Sequence, residues 1–191
     1  MKIIFLDIDG VLNGYNQLNT LGWKIVCLIN NKSLKNWYRK ITDPCGIHKS
    51  KVKRLAKIIR KTNAKVVMSS SWRVIWWKVP YEKQKGNVKK LTDLFNKYNI
   101  NVIDVTPRSP DGKRDKEILA WLSKHEEEVE NFIILDDENS FLRAFDNDKR
   151  FIQTSSVAKG VMIQGFPREN TGLKKKHVRQ AIKILNGIKG K

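Results

Sequence analysis

The segment Phe5-Leu6-Asp7-Ile8-Asp9-Gly10-Val11 ends an apolar run in two carboxylates two residues apart, followed by a glycine. Residues two apart in a strand share a face, so Asp7 and Asp9 are expected side by side as the strand closes. Gly10 then lets the chain turn away sharply. Neighbouring carboxylates repel unless a shared proton or a cation compensates, and a hard divalent ion with oxygen ligands does so. The same residues would also suit an ordinary strand-ending turn. A second apolar run, Phe132-Ile133-Ile134-Leu135, ends in Asp136-Asp137, where the plain alternative is a helix cap. If the two acidic ends meet, three or four carboxylates converge, and Mg²⁺ is the expected ion.

A third apolar run, Val66-Val67-Met68, ends in Ser69-Ser70-Ser71-Trp72-Arg73. Hydroxyls, backbone N–H groups and a guanidinium are the donors a phosphoryl oxygen needs. Lys113, Arg114 and Lys116, upstream of the fourth run, are candidates for a further cation. The combined chemistry points to a phosphate ester.

These ends need a scaffold that gathers them. Short apolar runs at 2–6, 64–68, 100–105, 132–135 and 150–154 read as strands. Helical spacing recurs between them: Val52, Leu55, Ala56 and Ile59; then Leu91, Leu94, Phe95 and Tyr98; then Ile118, Trp121, Leu122 and His125. A short helix is expected near 140–145, and Val178, Ala181, Ile182 and Leu185 mark a closing one. The alternation predicts an α/β fold, a five-stranded parallel sheet with helices on both faces. Such sheets bind ligands at the carboxyl ends of strands where the strand order reverses. The acidic ends meet there if strands one to three run outward and strand four returns beside strand one. Two stretches break the rhythm. Residues 14–47 read as a small basic insert within a single domain of 1–191, and 72–86 is the second.

Composition narrows the function. The chain has 191 residues, 40% of them apolar, enough for one core. No apolar run approaches the ~20 residues of a membrane-spanning helix, and Asp7 interrupts the apolar start before a secretory signal can form. Cys27 and Cys45 match no metal spacing. A soluble, cytoplasmic protein is expected. The net charge is +19, unevenly placed: residues 1–100 hold 21 Lys and Arg against 5 acids, and residues 101–191 hold 17 against 14. Such a field attracts polyanions, and nucleic acid is the expected partner. Trp23, Trp37, Trp76 and Trp77 either stack on bases or fill a small core, with burial expected for at least half. His48, His125 and His177 show no ligand spacing.

In content and order these motifs resemble the haloacid dehalogenase (HAD) phosphohydrolases. The chain is most similar to the HAD domain of Swiss Army Knife RNA-repair proteins. The likeness rests on Phe5–Asn13, Ala64–Arg73, Thr106-Pro107, Arg114 with Glu117-Ile118 and Trp121-Leu122, Ile133–Glu138, and Thr171-Gly172-Leu173 before the last helix. It covers nearly the whole chain apart from 14–47. It implies a Rossmann-like HAD fold with a small cap insert. It also implies that Asp7 is the nucleophile and that Asp9 protonates the leaving oxygen and then activates water. Ser69, with Ser70, would bind the phosphoryl group, and Arg73 would be a further contact. Arg114 would be the charge-offsetting cation, with Lys113 and Lys116 as alternatives. Mg²⁺ would be held by Asp7, Asp136, the Asp9 carbonyl and Asp137, the last directly or through water. A receiver domain also gathers Asp and Mg²⁺, but its middle strand ends in a phospho-accepting Asp. Here the middle strands end in Ser69 and near Val105.

The connection from the third strand to Arg114 leaves no room for a large lid. An open basic rim suits the phosphorylated 3′ end of RNA or DNA, alongside a kinase or ligase partner in repair. Two rivals are a phosphatase of free nucleotides or other small phosphoesters, and a weakly catalytic module that binds nucleic acid.

Overall fold

The computed structural model describes residues 1–13, 46–154 and 172–187, with short pieces at 28–29, 31–34, 162–163 and 166–167. Most of the insert, including Trp23 and Trp37, therefore lies outside the described residues.

Five strands form one all-parallel sheet: β1 (Lys2–Leu6), β2 (Lys65–Met68), β3 (Val102–Val105), β4 (Asn131–Asp136) and β5 (Phe151–Gln153), in the order β3-β2-β1-β4-β5. The order reverses between β1 and β4, which meets the condition for the two acidic ends to come together. Leu6 pairs with Met68 on one side and Leu135 on the other. The ladder continues one residue further: Asp7 N–H donates to Leu135 O at 3.0 Å and Ser69 N–H to Leu6 O at 3.0 Å. The residues that follow the central strands are thus fixed side by side by backbone bonds. A two-stranded antiparallel ribbon, β6 (Met162–Ile163) and β7 (Phe166–Pro167), stands apart from this sheet.

Side chains alternate across the sheet. Ile4, Leu6, Val66, Met68, Ile133 and Leu135 pack under α1 (Lys49–Thr62), α3 (Gly86–Lys97) and α5 (Lys175–Leu185). Ile3, Phe5, Val67, Phe132 and Ile134 face α4 (Arg114–Lys124) through Ile118 and Trp121. Phe5 meets Trp121 and Phe132 edge-on at 5.4 and 5.8 Å, the favoured geometry for aromatic pairs.

Two local expectations change. The short helix near 140–145 is only a 3₁₀ turn, Arg143–Phe145. Its surroundings explain this: Asp115 N–H donates to Phe141 O at 2.9 Å, and Ala144 N–H donates to the Asp115 carboxylate at 3.2 Å. Backbone groups that a helix would pair internally are claimed by α4. The irregular 72–86 stretch holds the short helix α2 (Arg73–Trp76) and a 3₁₀ turn, Tyr81–Lys83. Trp76 packs on Phe95 and donates to Thr92 Oγ1 at 2.8 Å, whereas Trp77 is exposed. Among the described residues no helix is long and apolar enough to cross a membrane.

Candidate active site

The topology puts the ends of β1 and β4 against each other, and the acids follow. Asp7 is 3% exposed and Asp136 fully buried, while Asp137 is half-buried. One carboxylate oxygen from each of the three lies within 4.8 Å of the others. Burial pushes the Asp7 carboxyl above its usual range. Burial and the Asp7 charge raise Asp136 to about 7 and Asp137 to about 6. Arg114 is the one described cation inserted among them. Its Nη1 stands 3.3 Å from Asp7 Oδ2 and also binds Asp136 Oδ2. One guanidinium cannot balance three carboxylates. The donor set, all hard oxygen, fits a divalent ion such as Mg²⁺.

Arg114 reaches this position from the first turn of α4. Lys113, the preceding residue, is exposed, and Lys116 is turned to Asp111 at 2.7 Å. Of the three cations the sequence offered, Arg114 alone contacts the acids.

Asp9 behaves differently from its neighbour. Its carboxylate is exposed and outside the three-acid cluster, held by Asn13 Nδ2 at 2.6 Å and the Trp72 indole N–H at 2.9 Å. Asn13 also accepts the Gly10 N–H at 2.7 Å, closing the turn after β1. Gly10 has φ +67°, and a Cβ there would overlap the Asp137 carboxyl group. Glycine is needed both for the left-handed backbone and for the approach of the β4 acid. From the end of β5, Thr154 Oγ1 donates to Gly10 O at 2.8 Å. The motif turn is thereby tied to three strands.

At the end of β2 the serines divide. The Ser70 hydroxyl accepts the Trp72 N–H at 3.4 Å and stands near enough to Asp7 to favour its carboxylate form. Both serines are wholly buried, but the Ser69 Oγ has no hydrogen-bond partner among the described residues. Arg73, expected against a phosphoryl group, is itself buried. Its Nη1 donates to Ser69 O at 2.8 Å and Ser70 O at 3.0 Å, and its Nη2 to Glu117 Oε2 at 2.8 Å. These contacts fix the serine turn to α4. Glu117 also accepts the Ser109 N–H at 3.0 Å, so it braces the loop before α4 as well.

Asn13, Trp72 and Glu117 stand within the quoted motifs, but the sequence assigned them no role. Asn13 lies four residues after Asp9, a spacing that a tight turn brings together. Glu117 lies one helical turn from Arg114. Trp72 had no comparable signal.

Residues 3–161 match the profile of a family described as the HAD domain in Swiss Army Knife RNA repair proteins. No curated protein and no solved structure matches the chain.

Proposed function

Because the chain belongs to the family of HAD domains in Swiss Army Knife RNA repair proteins, we propose that it is an Mg²⁺-dependent phosphatase acting on the terminal 3′ phosphate of a polynucleotide. The observation that carries this reading is the buried cluster of Asp7, Asp136 and Asp137 with Arg114 inserted among them. A structural turn has no use for three acids held in low dielectric at a cost to ionisation.

In this reading Asp7 attacks phosphorus. The P–O bond to the leaving group breaks, and protonated Asp9 delivers its proton to the departing oxygen. Water then attacks the aspartyl-phosphate, Asp9 takes up a proton from it, and the P–O bond to Asp7 breaks to release phosphate. Ser69, whose buried Oγ has no hydrogen-bond partner among the described residues, donates to a phosphoryl oxygen, with Ser70 beside it. Arg73 positions both serines through their carbonyls. Arg114 keeps Asp7 anionic at the moment of attack and offsets the phosphoryl charge. Asp7, Asp136, Asp137 and the Asp9 carbonyl would hold Mg²⁺. When bound, the ion screens repulsion between nucleophile and anionic ester and stabilises charge on the transferring group. The product, a 3′ hydroxyl, is the end that a ligase partner requires.

The test compares phosphate release from a 3′-phosphorylated oligonucleotide and from mononucleotides. Higher kcat/KM on the oligonucleotide supports the proposal. Equal values refute the polynucleotide reading, and no release from any phosphoester refutes the enzyme.

A further inference from the structure

The surface formed by α1 and α5 carries charge of one sign. Seven of the fourteen residues of α1 are Lys or Arg, and α5 adds Lys175, Lys176, Arg179 and Lys183. Neither helix holds an acid. By contrast α4, on the opposite face of the sheet, carries Asp115 and Glu117 among its bases. The two basic helices pack side by side and leave a groove of about 470 Å³. Lys53, Arg54 and Lys57 form one wall and Lys175 and Arg179 the other, with Val178 and Ile182 between them. Among the described residues none of these five cations has a carboxylate partner.

An ordinary solvated face mixes both signs. Here Lys53 and Lys57, and Lys175 and Arg179, repeat at i, i+4, where like charges oppose helix formation. The field reaches buried groups too. Burial first, and then the cations Lys176, Lys174 and Arg54, hold the His177 imidazole well below its ordinary value. An arrangement that opposes its own folding makes sense when a polyanion completes it.

The groove is also linked by hydrogen bonds to the turn after β1. Leu173 N–H donates to Val11 O at 2.9 Å, and Arg54 Nη1 donates to Leu173 O at 2.7 Å. Lys51 Nζ donates to Asn13 O at 2.8 Å, and Asn13 holds Asp9. The turn that holds Asp9 is thus braced against Arg54, one wall of the basic groove, through Leu173.

We infer that the groove between α1 and α5 binds the phosphodiester backbone of the polynucleotide whose end is processed, an inference that rests on the proposed substrate class. Among the described residues its lining holds no aromatic side chain, so it offers no stacking platform. Binding there is independent of base sequence and depends steeply on salt.

The test is fluorescence anisotropy of a labelled single-stranded RNA on the full chain in metal-free buffer, titrated with salt. The variant K53E/K57E/R179E is compared with K65E/K97E/K124E, which removes the same charge from exposed lysines at the other end of the sheet. The groove variant is expected to lose at least ~10-fold in affinity and to flatten the log–log salt slope by about 2, because each phosphate neutralised on a single strand contributes ~0.7 to that slope. The control variant is expected to keep its slope. Milder K53Q/K57Q/R179Q gives a smaller loss in the same direction if the Glu variant fails to fold. Equal losses in groove and control variants, or none in the groove variant, would overturn the inference. So would a groove variant that releases phosphatidylserine vesicles while still binding RNA. Because no turnover is needed, an absence of phosphatase activity would refute the function proposed above without touching this result.

Discussion

The indole N–H of Trp72 donates to the Asp9 carboxylate at 2.9 Å, joining the end of β2 to the turn after β1 across 63 residues of chain. Asn13 supplies the second donor at 2.6 Å. Asp9 is exposed, yet its carboxylate is held in one orientation from two directions. A group that must give a proton to a leaving oxygen and then take one from water needs a fixed position.

Trp72→Phe keeps the ring and removes this donor. The expected outcome is a fall in kcat of about tenfold with KM little changed, since orientation of the proton donor is lost but substrate contacts are not. Steady-state kinetics on a phosphorylated oligonucleotide checks it. A rise in KM alone would make Trp72 a substrate contact instead.

Arg73 and Glu117 form a buried ion pair at 2.8 Å, with side chains 8% and 5% exposed. Arg73→Met leaves Glu117 buried without its partner, a loss of roughly 3–5 kcal/mol. Thermal unfolding should show a clear drop in Tm, and the double variant R73M/E117M should recover part of it. A phosphate-binding arginine would behave otherwise, raising KM with little effect on Tm.

The metal-free acids set one pH dependence. Asp136 titrates at about 7 and Asp137 at about 6, both above the ordinary carboxylate value of 3.8. Between roughly pH 4 and 7 the folded chain therefore binds more protons than the unfolded chain. Its stability falls as pH rises through that window. Mg²⁺ engages the ionised acids, so its stabilising effect should be larger at pH 8 than at pH 5. Thermal melts with Mg²⁺ and with EDTA at both pH values check this, and an equal shift at both would contradict it.

His177 gives the opposite sign. Its Nδ1 accepts the Lys174 N–H at 3.0 Å, closing the first turn of α5, and only a neutral imidazole can do so. Burial and then the charges of Lys176, Lys174 and Arg54 lower it from 6.5 to about 4. The stabilisation is complete above pH 6.5 and is lost as pH falls toward 4, at about 1.4 kcal/mol per pH unit. His177→Gln retains an acceptor that does not titrate. Urea unfolding between pH 4 and 7 should show a shallower acid limb in that variant.

The sheet was legible because each strand is an apolar run with its own punctuation. Asp7 and Asp136 close two of these runs, and the strand order sets those two runs side by side. What the sequence could not convey depends on contacts between distant elements. Arg73 beside three serines resembles a phosphate ligand until Glu117, on α4, is seen to hold it. Ser69 and Ser70 are equally buried at the strand end, yet only the Ser69 hydroxyl is left without a hydrogen-bond partner among the described residues. The Trp72 indole carries a single donor, and nothing in the neighbouring residues announces its acceptor.

Covalent catalysis by Asp7 is tested most directly by a single-turnover acid quench with a ³²P-labelled 3′-phosphorylated oligonucleotide and Mg²⁺. Transient, alkali-labile label on the protein, mapping to Asp7 and absent from Asp7→Asn, is the expected result. Phosphate release without protein-bound label, or label that persists in Asp7→Asn, would contradict it.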